Sequence, residues 1–297
     1  MEIKKYAAID IGSNGIRLLI QNIFLEKGKK PIFKKASLIR LPIRLGVDSF
    51  GDDGVISNEN IDRLGDAMKA FILIMKINDV EKYRACATSA MREAKNSTAV
   101  INTIYKNTGV NIELIDGKTE AAIIAATDLY EILEKQHNYL YVDVGGGSSE
   151  FTFFSNGAKK TSKSFQLGSV RSFTSKRENK KTNKEIKKWI KERIKQFPDC
   201  TIIGSGGNIN KVYKISGLKP GKPLEYCYLQ KQYTKIKALT YEQRMNEMGL
   251  RPDRADVIIP ALKIYLSAMK WSRADKIIVP QIGLADGIIK TLYNNQL

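Results

Sequence analysis

The 297-residue chain reads as two α/β domains of like design. Three observations predict this. Short apolar, strand-like runs alternate with helix-period patterns along both halves. The length suffices for two ordinary domains with a sizeable core. A strand–turn signature also occurs twice, as Ala8-Ile9-Asp10-Ile11-Gly12-Ser13-Asn14 and as Tyr141-Val142-Asp143-Val144-Gly145-Gly146-Gly147. Each copy has two apolar residues, an aspartate, an apolar residue and a small-residue turn leading to a second strand. A repeat at this scale predicts two similar domains flanking a cleft, spanning residues 1–124 and 125–297.

In the first half, Tyr6–Ile11 and Ile16–Leu25 are predicted strands. Ser57 can cap a helix whose apolar face is Ile61, Leu64, Met68, Phe71, Ile72 and Met75. Tyr83–Ala87 is strand-like, and residues 98–107 and 119–134 read as helices. In the second half, Tyr139–Val144 and Glu150–Phe154 are predicted strands. A helix with a capping box at Thr182 and Glu185 follows, with the stripe Ile186, Trp189, Ile190, Ile194 and Phe197. Residues 201–204 form a further strand, and helices over 254–271 and 284–292 close the chain.

Composition narrows the function classes. Hydrophobic residues make up 43% and charged residues 27%, as in a globular protein. No apolar run reaches membrane-spanning length, and Met1–Lys5 leads straight into a strand, which leaves no room for a signal peptide. The three cysteines, Cys86, Cys200 and Cys227, are far apart and form no CxxC pair. That fits a cytoplasmic protein without a disulfide framework or zinc ribbon. With His137 the single histidine, a two-histidine metal site is excluded. His137 stands at a predicted helix end, which suits a terminal residue better than a catalytic base. Hydrolytic chemistry would then rest on carboxylates, hydroxyls, backbone amides and an oxygen-held metal.

The net charge of +18 suits a polyanionic partner, although a lysine-rich coding bias would produce the same number. Residues 175–196 concentrate ten basic residues against three acids. A solvated helix face and a rail for a linear polyanion both fit. Aromatic residues are not interleaved there, so nucleic acid is not the expected partner.

The glycine-rich turns carry the chemistry. A tight turn between strands can aim successive amides at one point and form an anion nest, and glycine permits close approach of phosphate oxygens. Asp10 and Asp143 end the first strands of the two copies and could hold a magnesium ion beside a bound phosphate. A third turn, Gly204-Ser205-Gly206-Gly207, opens a predicted helix whose first amides suit anions. A fourth, Gly283–Gly287, opens the last. Ordinary strand-end hairpins and helix starts are the plain alternative for each.

Several segments then resemble, in order, the exopolyphosphatase / guanosine-pentaphosphate phosphohydrolase (Ppx/GppA) family. Ala7–Leu19 resembles its first phosphate loop, and Ala87-Thr88-Ser89-Ala90-Met91-Arg92-Glu93-Ala94-Lys95-Asn96 its arginine-bearing helix start. Ile115-Asp116-Gly117-Lys118-Thr119-Glu120-Ala121 resembles the segment with the catalytic glutamate. Val142-Asp143-Val144-Gly145-Gly146-Gly147-Ser148-Ser149-Glu150 resembles the second phosphate loop. Gln166–Arg171, Gly204–Gly207, Arg254–Pro260 and Gly283–Gly287 follow in the family's order. The resemblance implies a duplicated actin-like ATPase (ribonuclease H-like) fold. It implies Glu120 as the base that orients a water. Gly12, Ser13, Asn14, Gly145, Gly146, Gly147, Ser148, Gly206 and Gly207 would hold phosphate, with Arg17 and Arg92 to neutralise it. Asp10, Asp143 and Glu150 would hold Mg²⁺, or Mn²⁺ in its place. Gly15, Thr119 and Asn208 stand where the family usually has serine, glutamate and threonine.

The implied activity is release of the terminal phosphate of inorganic polyphosphate, with a guanosine polyphosphate (pppGpp) as the alternative substrate. A sugar-kinase-like phosphotransferase and a non-catalytic polyphosphate or nucleotide sensor share the scaffold. A homodimer is left open.

Overall fold

The computed structural model describes residues 1–127, 134, 136–174 and 176–294. The chain divides into two compact units, Met1–Thr127 with Gly283–Leu297, and Asp128–Ile282.

The first unit opens with a long hairpin, β1 (Glu2–Gly12) and β2 (Gly15–Leu25), extended by β3 (Ile32–Leu41). After α1 (Leu45–Ser49) and α2 (Asn58–Ile77) come β4 (Lys82–Ala87), α3 (Ser89–Glu93), α4 (Ser97–Thr108), β5 (Ile112–Leu114) and α5 (Gly117–Ala125). The sheet order is β3-β2-β1-β4-β5. The β1–β2 and β2–β3 pairs are antiparallel, and β4 and β5 are parallel to β1. β1 is central, and Ala7, Ala8 and Ile9 are fully buried, so its apolar run lacks the alternation of a half-exposed strand. The Ser57 cap forms, its hydroxyl accepting the Asn60 amide at 3.4 Å. Leu64, Met68, Phe71 and Met75 face the core.

The second unit repeats the plan. Its elements are β6 (Asn138–Val144), β7 (Ser149–Ser155), β8 (Ala158–Phe165), α6 (Lys176–Arg193), β9 (Thr201–Ser205), α7 (Gly207–Ser216), β10 (Leu224–Glu225), α8 (Tyr226–Ala238), α9 (Tyr241–Asn246), α10 (Pro252–Ala255), α11 (Ile258–Ser272) and β11 (Lys276–Ile278). The sheet order is β10-β11-β9-β6-β7-β8. Its core joins Phe151, Phe153, Trp189 and Ile190 to the buried face of α11, including Tyr265 and Met269.

Four sequence expectations are corrected. The helix expected over 119–134 is described only as α5, ending at Ala125, and residues 128–133 lie outside the described residues. The capping box at Thr182 does not form, because α6 already runs from Lys176. Its first turns are tied down by Asn179, whose Nδ2 donates to the Ser172 carbonyl at 3.0 Å. The helix expected over 254–271 is two helices, α10 and α11. At the break the Asp256 carboxylate accepts the Val257 amide at 2.7 Å, a local bond that competes with the helical ladder.

The fourth correction concerns the last helix, α12 (Leu284–Tyr293), which the 125–297 boundary assigned to the second unit. It packs on β1, β2, β4 and α5 and belongs to the first. Asp286 explains the docking. Its carboxylate accepts the Gly283 amide at 3.0 Å and the Gln21 side-chain amide at 3.0 Å, and pairs with Lys35 at 3.2 Å. Tyr293 adds ring contacts with Tyr6 and Phe33. Gly287 lets the helix lie against α5, since a Cβ there would stand 2.3 Å from the Ile123 carbonyl oxygen. Gly287→Ala is therefore expected to destabilise the protein by about 1–3 kcal/mol, as overpacking does. Urea unfolding should show the loss in the midpoint, with the slope unchanged.

Candidate active site

In the first unit β1 and β2 join at Ser13 and Asn14, between the paired Gly12 and Gly15. Three groups fix this turn. The Gly46 amide donates to the Ser13 carbonyl at 2.8 Å, and the Ser13 hydroxyl lies 3.0 Å from that of Ser89. Arg40 Nη2 donates to the Asn14 carbonyl at 2.7 Å. Gly15 has φ +155°, and a Cβ on it would come within 2.8 Å of the Arg40 guanidinium and 2.9 Å of the Leu41 carbonyl. The glycine at the family's serine position thus accommodates an arginine brace. Arg40 escaped sequence reading because only the β2–β3 pairing brings it to the turn.

Asp10 is buried behind this turn, directly opposite Arg17 in the ladder. Arg17 Nη1 stands 3.5 Å from Asp10 Oδ2. Burial holds the Asp10 carboxyl above its usual range, countered by Arg17 and then Arg40. Glu120 is half-buried in the first turn of α5. Asp116 caps that helix by accepting the Thr119 amide at 2.7 Å. Arg92 Nη1 donates to the Ile115 carbonyl at 2.5 Å, which fixes the chain just before the cap. Asp10 and Glu120 both act on one group, the Cys86 thiol, which lies opposite Asp10 in the β1–β4 ladder. Burial first, and then nearby carboxylates, push that thiol to about 12, so it stays protonated at neutral pH.

The corresponding turn of the second unit is Gly145–Ser148, and its carbonyls are claimed from one side. Gly145 O accepts from the Ser169 amide at 2.9 Å, and Gly146 O from the amides of Val170 at 2.8 Å and Arg171 at 3.0 Å. Gly147 O accepts from Arg171 Nε at 2.7 Å. No peptide in the described chain is cis. In a trans peptide the N–H points opposite to the C=O, so the amides of Gly146, Gly147 and Ser148 turn to the other side. Successive amides turned to one side are the arrangement that suits an anion. Gly168 permits the bracing, because a Cβ there would meet Gly146 O at 2.3 Å and Gly147 N at 2.6 Å.

Asp143 and Glu150 are directly paired across β6 and β7, at the register Asp10 and Arg17 hold in the first unit. Opposed residues of an antiparallel pair share a face with their Cβ atoms ~5 Å apart, and like charges there repel. Glu150 is buried, and its Oε1 accepts the hydroxyls of Ser148 at 2.7 Å and Ser164 at 2.8 Å. Tyr141 donates its hydroxyl to Asp143 Oδ2 at 3.2 Å. Tyr265 donates to the Ser205 carbonyl, and its own hydroxyl is held well above the usual range by burial and then by the charges of Asp143 and Glu150. Gly206, with φ +120°, brings the third turn against this cluster, where a Cβ would stand 2.9 Å from the Val144 carbonyl and 3.4 Å from Asp143 Oδ1. Gly207 starts α7, and its carbonyl accepts from Arg254 Nη1 at 2.8 Å. Sequence reading missed Ser164 and Tyr265, which carry no motif, and took Tyr141 only as an apolar strand residue.

No three His, Cys, Asp or Glu side chains converge as a metal cage among the described residues. Two opposed carboxylates nevertheless fit Mg²⁺, which uses one or two carboxylates and completes its shell with water and substrate phosphate oxygens. Asp10 differs from this pair in that its opposite residue is Arg17.

Two predictions follow from these geometries. Gly168→Ala should push the Gly146–Gly147 peptide out of place and weaken tripolyphosphate binding in isothermal titration by about tenfold, the scale set by losing one or two hydrogen bonds to a charged ligand. For Asp10, the folded chain holds its proton more tightly than the unfolded chain. Unfolding free energy should therefore fall as pH rises from the ordinary aspartate value of 3.8 through the raised folded value. Denaturant titrations from pH 3 to 8 should show that slope in the wild type and lose it in Asp10→Asn.

The family model described as the Ppx/GppA phosphatase family matches residues 30–296. The bifunctional 3-dehydroquinate synthase/phosphatase of Fusobacterium nucleatum is 31% identical over 176 residues, 56% of this chain and 25% of that protein. The guanosine-5'-triphosphate,3'-diphosphate pyrophosphatase of Aliivibrio fischeri is 24% identical over 310 residues, 98% of this chain and 61% of that protein. The chain thus spans about a quarter and about three-fifths of these relatives. The crystal structure of an exopolyphosphatase from Cytophaga hutchinsonii superposes with a TM-score of 0.85 at 22% identity, covering 98% of each chain. That likeness shows the duplicated actin-like ATPase fold. With the match running over most of its length, the chain belongs to the Ppx/GppA phosphatase family.

Proposed function

We propose that this protein hydrolyses the terminal phosphoanhydride bond of inorganic polyphosphate. The observation that carries the reading is the Gly145–Ser148 turn, with its carbonyls tied back, its amides turned together and the Asp143–Glu150 pair at its base. Such a turn suits a terminal phosphoryl group, whose oxygens gain charge as the bond breaks. The relatives' names include exopolyphosphatase and guanosine-5'-triphosphate,3'-diphosphate pyrophosphatase, which supports a phosphoanhydride substrate.

In this reading Glu120 accepts a proton from a water as its oxygen attacks the terminal phosphorus. The bridging P–O bond breaks, and the shortened chain leaves as the anion. The first turn of α5 supports the role, because the dipole favours an ionised carboxylate there. The amides of Gly146, Gly147 and Ser148, with those of Gly206–Gly207 in the same unit, hold phosphate oxygens, and Gly12–Asn14 is the matching turn of the first unit. Arg92 fixes the Ile115–Asp116 approach to Glu120, and Arg17 keeps Asp10 in its pair. Asp143 and Glu150 would hold Mg²⁺ or Mn²⁺, which when bound draws negative charge from the transferring phosphoryl oxygens.

The test measures phosphate release from long-chain polyphosphate with Mg²⁺, with tripolyphosphate and pppGpp alongside. Glu120→Gln should lower turnover by about 10²–10⁴-fold, the usual contribution of a general base, with little change in substrate binding. Asp143→Asn and Glu150→Gln should weaken Mn²⁺ binding seen by electron paramagnetic resonance more than Asp10→Asn does. Faster turnover of pppGpp would move the substrate assignment to the nucleotide. Release from none of them by a folded protein would refute the hydrolase reading and favour a kinase or a sensor.

A further inference from the structure

The outward face of α6 has a charge pattern that a solvated helix does not require. At about 100° and 1.5 Å per residue, Arg177, Lys181, Lys184, Lys188 and Lys191 fall within roughly 80° of arc and run about 21 Å along the axis. All five are exposed. Lys180 and Lys187 border this stripe on one side, and the acids Glu178, Glu185 and Glu192 fall outside it on the other. Ile186, Trp189 and Ile190 occupy the opposite, buried face. Of the five stripe cations only Lys188 has an ion pair among the described residues, with Glu192 at 4.0 Å.

Composition alone does not produce this segregation. The other long helix, α2, exposes both signs on its outer surface, with Glu59, Asp62 and Asp66 among Arg63, Lys69 and Lys76, and it pairs Asp66 with Lys69 at 3.3 Å. The stripe is also tied to the second phosphate turn within its own unit. Arg171, which braces Gly146 and Gly147, lies in the short turn before α6, and Asn179 of α6 donates to Ser172 in that turn. The exposed arc has no aromatic residue, since Trp189 is buried beneath it. A row of cations without stacking rings suits an anion with regularly spaced charge and no bases.

We propose that this face of α6 is an exosite for the body of a linear inorganic polyphosphate, separate from the residues that act on its end. The proposal rests on the polyphosphate reading for the identity of the ligand. Its binding role is independent of turnover. An exosite of this kind gives affinity that grows with chain length, because a tripolyphosphate anchored at the Gly145–Ser148 turn has no further phosphates to offer the stripe.

The experiment compares the wild type with the quadruple variant Lys181→Gln, Lys184→Gln, Lys188→Gln, Lys191→Gln, and with the charge-retaining Lys→Arg quadruple variant. Binding of fluorescent long-chain polyphosphate is measured in EDTA across a salt series, so that it does not depend on catalysis. Competition with tripolyphosphate and single-stranded DNA, and phosphate release from tripolyphosphate with Mg²⁺, complete the set. The Lys→Gln variant should bind long chains at least about tenfold more weakly, and its log K against log salt slope should fall by roughly three, by the single-strand scaling. It should keep tripolyphosphate turnover, and the Lys→Arg variant should bind as the wild type does. Unchanged long-chain affinity and slope in a folded Lys→Gln variant would overturn the exosite. So would an equal loss for tripolyphosphate, which would mark a general field effect. DNA bound as tightly as polyphosphate and lost with it would reassign the face to nucleic acid. If the wild type releases no phosphate but shows the length- and charge-dependent binding, the hydrolase reading fails and the exosite stands.

Discussion

The amides of the Gly145–Ser148 turn can face an anion because the carbonyls of the same peptides are already satisfied. A free glycine turn would leave both groups to water and adopt many conformations. Here the segment from Gly168 to Arg171 takes three successive carbonyls, and the planar trans peptide turns the next three amides the other way. The arrangement depends on backbone lying against backbone at Gly168, where no side chain fits. Arg171 is therefore a brace, and its charge reaches the turn through a carbonyl. Arg40 does the same for the first turn through Asn14.

The two units share a register and differ in the charge they place in it. Aspartate stands at the same point of the first hairpin strand in each. Its cross-strand neighbour is Arg17 in the first unit and Glu150 in the second. The first pair is compensated internally, though burial still raises the Asp10 carboxyl. The second brings two carboxylates together, and hydroxyls of Ser148, Ser164 and Tyr141 surround them. These hydroxyls supply dipoles aimed at the carboxylates, where the first unit places a guanidinium. Two similar turns thus differ by one cross-strand residue, which pairs an aspartate with an arginine in the first unit and with a glutamate in the second.

Much of this was legible beforehand. The apolar runs at Tyr6–Ile11 and Tyr139–Val144 are central strands buried on both faces, where hydrophobicity alone signals a strand. The stripe of α6 was read correctly from Ile186, Trp189 and Ile190, because an amphipathic period survives whatever the tertiary contacts. Its start was misplaced, because Thr182 and Glu185 have the composition of a capping box and the chain simply continues helical through them. The break between α10 and α11 was missed for a related reason. Asp256 stands in a helical pattern, and nothing local shows that its carboxylate will take the next amide.

The sequence by itself determined the duplicated α/β plan, both glycine-rich turns and the carboxylates at their bases. These follow from short-range pattern, namely burial period, glycine content and spacing along one strand–turn–strand unit. Only the tertiary structure decided which residues brace those turns, since Arg40, Ser164, Gly168 and Tyr265 reach them from other strands and helices. It also decided that α12 belongs to the first unit, because Asp286 and Gly287 find their partners on β2, β3 and α5. Contacts between residues so distant in the chain depend on where whole elements pack, and a local pattern carries no record of that.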